Sequence, residues 1–486
     1  MEITYGELLL GVNEKYSDEI LVETSVDTAE RGGADRVISL EAEAKAASVE
    51  LLEGEAEVSG KVNYRLLYLD RQARLCGLDY FKDFKCRVKG DAIAPKGNGE
   101  VSFLVPDAEA RISGDEITLS AVVEVMLTYH GEMEKPCVMS VEEAETLAVE
   151  VVTQRVEERE RTIAIDKVAD VGLGVKKIVL FRADALPLSV TEEASGVTVS
   201  GEVRGTILYL NEADEVVELT VSLPFSEASD GEASDYAAVV RSARVVLTDD
   251  EEGNVVEVEA TVVITERIYR DIARNAIAAA CGEKQRVEEK TECICPCRYI
   301  GREVYEEKLG GTITLDEDLT LAFVRPGCHA IADVTVGDGE IKVEGVSAFR
   351  IVGMAEDGYR SVQGELPFVY VLPFAEAREG MTAEVSMVVT DAVGVGKNKD
   401  VNIAAKVCLE VKLYEKKCYY YLSEVREGDM LPESDAGVSV YFAEKGEDLW
   451  SIAKSMGVLP SALVRANPFL SEPLEEAKKV LIFREK

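Results

Sequence analysis

Histidine, tryptophan and basic side chains are scarce in this chain, and each shortage excludes a class of function. Only two of the 486 residues are histidines and one is tryptophan, which leaves little material for histidine-dependent catalysis. The chain carries 53 basic against 92 acidic side chains, a net charge of −39. Because such a chain repels phosphate backbones and anionic lipid, nucleic acid and bare membrane are disfavoured as partners. The charge favours proteins, cations or neutral polymers.

Long apolar runs are also missing, so the sequence predicts no membrane span. The first residues, MEITYGELLLGVNEKY, place acids where a secretion signal has bases, and we therefore expect a cytosolic protein. In that compartment the ten cysteines are expected to be mostly free thiols, many of them buried. Apolar residues nevertheless make up 47% of the chain, enough for the three or four domains that its length suggests.

Catalytic and nucleotide-binding motifs are absent from the sequence. His130 and His329 stand in no recognisable triad, and we expect both to be structural or incidental. The segment GVGKNK lacks the leading glycine of a phosphate-binding loop, and its Lys397 is followed by asparagine. The sequence therefore predicts neither an enzyme nor a bound cofactor.

One strand pattern occurs three times, in EAEVSGKVNYRLLYLD, GVTVSGEVRGTILYLN and EIKVEGVSAFRIVGMA. Aligning Gly60, Gly201 and Gly345 gives periods of 141 and 144 residues. The alternating apolar residues indicate a half-buried β-strand, and the shared glycine indicates a bulge or a close backbone approach. The first two copies end apolar on both faces (LLYL, ILYL), which predicts that this end enters a covered core.

A second Val-rich strand repeats downstream, preceded each time by a polar hairpin turn. Its aligned alanines and terminal tyrosines are Ala121, Ala260 and Ala405, and Tyr129, Tyr269 and Tyr414. Within the repeat region, helices are expected only at 141–160 and 271–281. The pattern predicts a mostly β chain of three tandem sandwich-like units. The expected divisions are an N-terminal segment 1–30, repeats at 31–165, 166–298 and 299–424, a linker 425–437 and a C-terminal domain 438–486.

The C-terminal domain has a different character, with seven acids balanced by seven bases from Val438 onward. Val438 begins an alternating strand, and Asp448 is a good N-cap for a helix LWSIAKSM. Gly457 supplies a left-handed stop, and Pro460 fits the first position of a second helix. Because VLIF near the end reads as a closing strand, the sequence predicts a small β-α-α-β fold.

This order, with Gly446-Glu447-Asp448-Leu449-Trp450 and Asn467-Pro468, resembles a LysM domain. The resemblance implies a groove between the first strand-to-helix loop and the last helix-to-strand loop, where N-acetylglucosamine polymers such as peptidoglycan bind. Carried over, the groove residues are Gly446, Glu447, Asp448, Leu449, Trp450, Asn467, Pro468, Phe469 and Leu470. Family members usually have Asp-Thr in place of Glu447-Asp448, so two carboxylates at the groove mouth oppose carbohydrate binding. Trp450 is expected to pack in the domain core.

The tandem repeats resemble SPOCS domains, and their order, followed by a C-terminal LysM domain, resembles that of SipL-type spore-coat morphogenetic proteins. The repeated G-x-V-x-x-x-(L/I)-L-Y-L strand carries that resemblance. It implies an adaptor in the mother-cell cytosol, at the forespore surface, whose LysM domain docks onto a SpoIVA-like coat ATPase while the repeats engage other coat proteins or self-associate. The alternative is a peptidoglycan-binding, wall-associated protein.

The segment TECICPCRYI places Cys293, Cys295 and Cys297 at every second position. In a strand these sulfurs share one face, and with Cys281 or Cys328 they are low-ranking zinc candidates. The spacing is not the usual Cys-x₂-Cys, and a proline interrupts it. We therefore expect buried or cross-linking thiols and no metal.

Overall fold

The computed structural model describes residues 2–169, 174–193, 196–213, 215–250, 253–356, 358–397, 399–431, 437–470 and 473–483. Within these ranges antiparallel strands make up most of the chain, and two α-helices lie near the C-terminus. The expectation of a mostly β protein is therefore confirmed. Neither described helix has the length and apolar character that crossing a membrane requires.

The first module consists of two three-stranded sheets that face each other. Its strands are β1 (Ile3–Asp27), β2 (Ala34–Leu52), β3 (Glu55–Asp70), β4 (Leu75–Lys89), β5 (Asn98–Ser113) and β6 (Glu116–Val141), with a 3₁₀ helix at Ala29–Arg31. One sheet has the order β1-β6-β5 and the other β2-β3-β4. Both sheets contribute to one apolar core, in which Tyr64 and Tyr129 are almost fully buried.

The second module repeats this plan. Its strands are β7 (Ala144–Ala169), β8 (Val175–Ala185), β9 (Ser189–Glu193), β10 (Gly196–Asn211), β11 (Val216–Ser229), β12 (Asp235–Asp250) and β13 (Gly253–Gly282). The sheets have the orders β12-β13-β7 and β11-β10-β8, with the short β9 paired to β10.

The third module follows the same plan, but its first and last strands are each divided in two. Its strands are β14 (Gln285–Ile294), β15 (Cys297–Thr314), β16 (Thr320–Gly337), β17 (Glu340–Ala355), β18 (Gly358–Pro373), β19 (Thr382–Lys397), β20 (Asp400–Lys416) and β21 (Tyr419–Met430). The sheets have the orders β15-β20-β19 and β16-β17-β18, and β14 pairs with β21.

The module boundaries lie elsewhere than the sequence predicted. In each module the first strand pairs with the last, so residues 3–27 are the first strand of the first module and not a separate segment. The expected divisions at 165/166 and 298/299 fall inside β7 and β15. The repeated glycines and alanines lie in the middle and last strands, so they gave no signal for the first strand.

Both predicted helices of the repeat region are wrong. Residues 141–160 and 271–281 lie largely in β7 and β13, which pair with each other along 26 residues of β7. These long strands extend beyond their sandwich, where charged side chains interrupt the period-two pattern. The extended backbone is fixed by the ladder between the two strands and not by local propensity.

The repeated glycine makes a close approach in every module, as predicted. Gly60 lies opposite Phe84 in the β3–β4 ladder, and a Cβ on the glycine would overlap the phenyl ring. The same pairing joins Gly201 to Phe225, and the third copy has an equivalent pair. The glycine thus leaves room for an aromatic ring to lie across the strand.

The three modules meet in two shared apolar cores. The junction core joins the ends of the repeated strands. In each module the outer halves of the paired first and last strands form a two-stranded ribbon (β14–β21 in the third module), and the ribbon core joins these ribbons. The junction core contains Ile38, Leu67, Leu69, Leu75, Val179, Leu180, Leu208, Phe323 and Val352. The ribbon core contains Leu8, Leu10, Cys137, Val151, Ala276, Tyr419 and Tyr421. The prediction that LLYL and ILYL end in a covered core is confirmed.

The C-terminal module is a β-α-α-β unit. Its elements are β22 (Val438–Ala443), α1 (Leu449–Met456), α2 (Pro460–Ala466) and β23 (Lys478–Phe483). The antiparallel pair β22–β23 and the two helices enclose a separate small core. Of the predicted linker 425–437, residues 425–430 belong to β21, and 432–436 lie outside the described residues.

Candidate partner-binding groove of the C-terminal module

Local signals in the sequence position both helices as predicted. The Asp448 carboxylate caps α1 by accepting a hydrogen bond from the Ser451 N–H at 2.7 Å. Gly457 ends α1 with a φ of 64°, in the left-handed region that favours glycine. Pro460 occupies the first turn of α2, where its missing N–H is not needed.

The two predicted groove loops lie side by side. The Gly446 N–H donates to the Leu474 carbonyl at 2.8 Å, and the Leu474 N–H donates to the Glu447 carbonyl at 3.1 Å. These two hydrogen bonds connect the loop before α1 to the loop before β23. Residues 471–472 of the second loop lie outside the described residues.

Both carboxylates expected at the groove mouth are engaged within the module. The Tyr441 hydroxyl donates to Glu447 Oε1 at 3.0 Å, and the Glu444 N–H donates to Glu447 Oε2 at 2.7 Å. The hydrogen bond to Glu447 raises the pKa of Tyr441. Asp448 is the α1 cap. Donors of the module itself therefore stabilise both carboxylates through hydrogen bonds.

Two further predicted groove residues, Leu449 and Asn467, are buried and stabilise the module itself. Leu449 is buried in the module core. Asn467 is 1% exposed and fixes the second loop. Its amide donates to the carbonyls of Leu463 and Leu481 at 2.8 and 2.7 Å, and its Oδ1 accepts from the Leu481 N–H at 2.7 Å. Such a side chain orders the loop and is not available to a ligand.

The accessible surface of the groove is apolar and aromatic. Phe469 is 62% exposed beside the exposed Pro468, and Leu470 is half-buried against the module core. Trp450 is half-buried and does not belong to that core, contrary to the expectation. Its indole N–H is buried and has no hydrogen-bond partner among the described residues. The groove loops thus present the exposed ring of Phe469 and only part of the Trp450 side chain.

A second apolar surface of this module was missed at the sequence level. Val438, Val440 and Phe442 alternate along β22 and point outward, with Phe483 opposite Val438. Phe442 is 70% exposed, and Lys479 lies over its ring. The alternation predicted the strand correctly, but it did not show which face the helices cover.

The module contacts the ribbons near its α1–α2 turn. Lys454 forms an ion pair with Glu289, and the Ser461 N–H donates to Glu145 at 2.8 Å. The Cys281 thiol donates to the Val458 carbonyl at 3.5 Å. The groove loops adjoin the opposite ends of the same two helices, at the start of α1 and the end of α2.

The cysteine segment is arranged differently from the prediction. Cys295 forms a disulfide with Cys418, which is 123 residues away, and eight cysteines are free. The sulfurs of Cys293, Cys295 and Cys418 all lie within 4.8 Å of one another. Cys297 stands apart on the β15–β20 ladder, opposite Lys416. Cys281 and Cys328 contact other parts of the chain, so neither completes the predicted set.

Both histidines are buried enough to be neutral at pH 7. Burial lowers the pKa of His130 and of His329 to about 4. His329 Nδ1 lies 2.9 Å from the Ser347 hydroxyl, but Ser347 is fully buried. Of this pair, His329 is half-buried and only Ser347 is closed off from solvent.

Comparison of the chain with family models, curated protein sequences and solved structures gives no match.

Proposed function

We propose that this protein is a non-enzymatic scaffold in spore-coat assembly. In this proposal the C-terminal module docks onto a SpoIVA-like coat ATPase, and the three acidic modules engage other coat proteins or self-associate. The observation that carries it is the groove between 446–450 and 467–470, whose accessible aromatic surface lies away from the α1–α2 turn that contacts the ribbons. Fully buried aromatic anchors often contribute most of the energy of such interfaces.

The three repeat modules support a scaffolding role because shared apolar cores join them. The junction and ribbon cores bury side chains from all three modules, so the repeats form a common platform. The negative charge belongs to this platform, since the C-terminal module carries as many bases as acids. An acidic platform attracts basic partners over a longer range than the neutral module does. The proposed location is the mother-cell cytosol at the forespore surface.

The test is a pull-down of a SpoIVA-like protein with the full chain and with matched variants. Trp450→Ala and Phe469→Ala should each weaken binding at least tenfold, because truncating an aromatic anchor removes about 2 kcal/mol. Phe442→Ala, on the outer face of the β22–β23 sheet, is the control and should bind normally. Deletion of 438–486 should abolish capture; undiminished capture by this truncated protein would refute the proposal.

The second candidate is binding of peptidoglycan or other N-acetylglucosamine polymers. Glu447 and Asp448 accept hydrogen bonds within the module, which weakens the objection raised by the sequence. Trp450 and Phe469 provide the aromatic surfaces on which sugar rings stack. Co-sedimentation with peptidoglycan or chitin, lost in Trp450→Ala, would support this function. Absence of sedimentation at high protein excess would exclude it.

A further inference from the structure

The third module has a break in the ladder that runs from the ribbons into its sandwich. β14 ends at Ile294 and β15 begins at Cys297, while β20 ends at Lys416 and β21 begins at Tyr419. Pro296 lies in this break and has no N–H to donate to a ladder. In the first two modules the corresponding pairs, β1–β6 and β7–β13, continue through this region.

A disulfide spans the break. Cys295 and Cys418 each occupy one of the unpaired segments, and their bond joins these two facing segments between the β14–β21 ribbon and the β15–β20 ladder. The nearest backbone hydrogen bond, from the Lys417 N–H to the Pro296 carbonyl, is long at 3.4 Å. The covalent bond therefore takes the place that ladder hydrogen bonds hold in the other two modules.

A third sulfur lies next to this disulfide. Cys293 Sγ is 3.6 Å from Cys295 Sγ, which is van der Waals contact between the two sulfur atoms. Cys293 and Cys418 are both exposed, so solvent can accept and return protons at this position. The buried free thiols of Cys281 and Cys408 are less reactive, since burial raises the pKa of each to about 11.

We propose that Cys293, Cys295 and Cys418 form a thiol–disulfide exchange site. The Cys293 thiolate attacks Cys295 Sγ, so that a Cys293–Cys295 bond forms while the Cys295–Cys418 bond breaks. Cys418 leaves with the electron pair as a thiolate and takes up the proton that Cys293 lost to solvent. One disulfide and one thiol are present before and after the step, so no oxidant or reductant is consumed.

The exchange removes the covalent cross-link between the two facing segments of the break. With the Cys295–Cys418 bond, the start of β21 is covalently tied to the opposite segment of the chain. After exchange both cross-linked sulfurs lie on one strand, and β21 is held by hydrogen bonds and packing alone. Cys418 then presents an exposed thiol. Accessible thiols next to a resolving cysteine are typical of redox-responsive proteins.

Alkylation of the full-length protein tests this step. Tryptic peptides Thr291–Arg298 and Cys418–Arg426 separate the two sides of the disulfide. The protein is incubated without reductant at about pH 8, where an exposed thiol is partly ionised, and then trapped with N-ethylmaleimide. We expect a linked peptide pair labelled at Cys293 and, in addition, an unlinked Cys418 peptide that carries the label.

Two variants make the result decisive. Cys293→Ser should decrease labelling of Cys418 at least tenfold, while Cys328→Ser, which removes an exposed thiol elsewhere, should leave it unchanged. Equal Cys418 labelling in the wild type and in Cys293→Ser, or no labelling in either, would overturn the proposal. One zinc ion per reduced chain, with all three cysteines protected from alkylation, would instead assign them to metal binding and also overturn it.

Discussion

The guanidinium of Arg325 in the third module lies 3.5 Å from the carboxylate of Glu41 in the first module. The same guanidinium lies 3.1 Å from Glu218 of the second module. Arg325 is 6% exposed, so this cation is shared by two carboxylates away from solvent. One side chain thus connects all three modules by charge-assisted hydrogen bonds.

Arg325→Gln should loosen the junction of the three modules. The substitution removes the cation that the half-buried carboxylates of Glu41 and Glu218 share, which costs about 3 kcal/mol. We expect a lower thermal unfolding midpoint, measured by circular dichroism. Arg244→Gln is the matched control, because Arg244 is exposed and pairs with Glu259 within one module. Its effect should stay below about 1 kcal/mol, and equal effects of the two variants would contradict the role assigned to Arg325.

Mild acid should destabilise the protein through its two buried histidines. Their pKa of about 4 in the folded protein lies below the value of about 6.5 expected after unfolding. The unfolded chain therefore binds more protons as the pH falls from about 6.5 towards 4, and each histidine removes up to about 1.4 kcal/mol of stability per pH unit. Above about pH 6.5 the histidines are neutral in both the folded and the unfolded chain, so they no longer lower the free energy of unfolding.

The carboxylates at the module junctions respond at lower pH. Burial raises the pKa of Asp235, but Lys412 and Arg267 lower it more, so the net direction is downward. Its stabilising contribution is lost only as the pH falls below about 4. Urea unfolding at several pH values should therefore show a decline that begins near pH 6.5. The decline between pH 6.5 and 4 should become shallower in His130→Gln/His329→Gln, and an unchanged slope would exclude the histidines as its cause.

The repeated glycine is predicted to be intolerant of even one methyl group. In Gly60→Ala the new Cβ overlaps the Phe84 ring and approaches the Lys45 carbonyl, and repacking costs about 1 to 3 kcal/mol. Gly437→Ala is the control, since no atom lies within 4 Å of a Cβ at that position. Thermal unfolding should separate the two variants. Identical unfolding midpoints of the two variants would show that the Phe84 ring moves aside without loss of stability.

The middle strands of each module were predictable because their period-two pattern and glycine repeat in the sequence. The first strands were not, since part of each belongs to the ribbons. Leu8 and Leu10 of β1 pack against residues of the second and third modules, such as Val151 and Tyr421. Burial of this kind depends on contacts between modules, about which the pattern of one segment carries no information.

The candidate groove was predictable to a similar degree. The cap at Asp448 and the stop at Gly457 are local effects, and both were correct. The role of Asn467 depends on Leu481, which joins it only after the closing strand has paired. Cys418 likewise has no local signal that connects it to Cys295. Long-range pairing is therefore what the sequence left undetermined.

Asn467 is predicted to control the order of the groove without touching a ligand. Asn467→Ala removes three hydrogen bonds that hold the second loop to α2 and β23, and it leaves the Leu481 N–H without its acceptor. Hydrogen exchange in residues 460–483 should accelerate, while exchange in the three modules stays unchanged. The loss of buried hydrogen bonds corresponds to about 1 to 3 kcal/mol of local stability. Asn402→Ala, at an exposed site of the third module, should leave exchange of the C-terminal module unchanged. If Asn467→Ala exchanged as slowly as the wild type, the loop would be ordered by its backbone contacts alone, and the role assigned to Asn467 would be wrong.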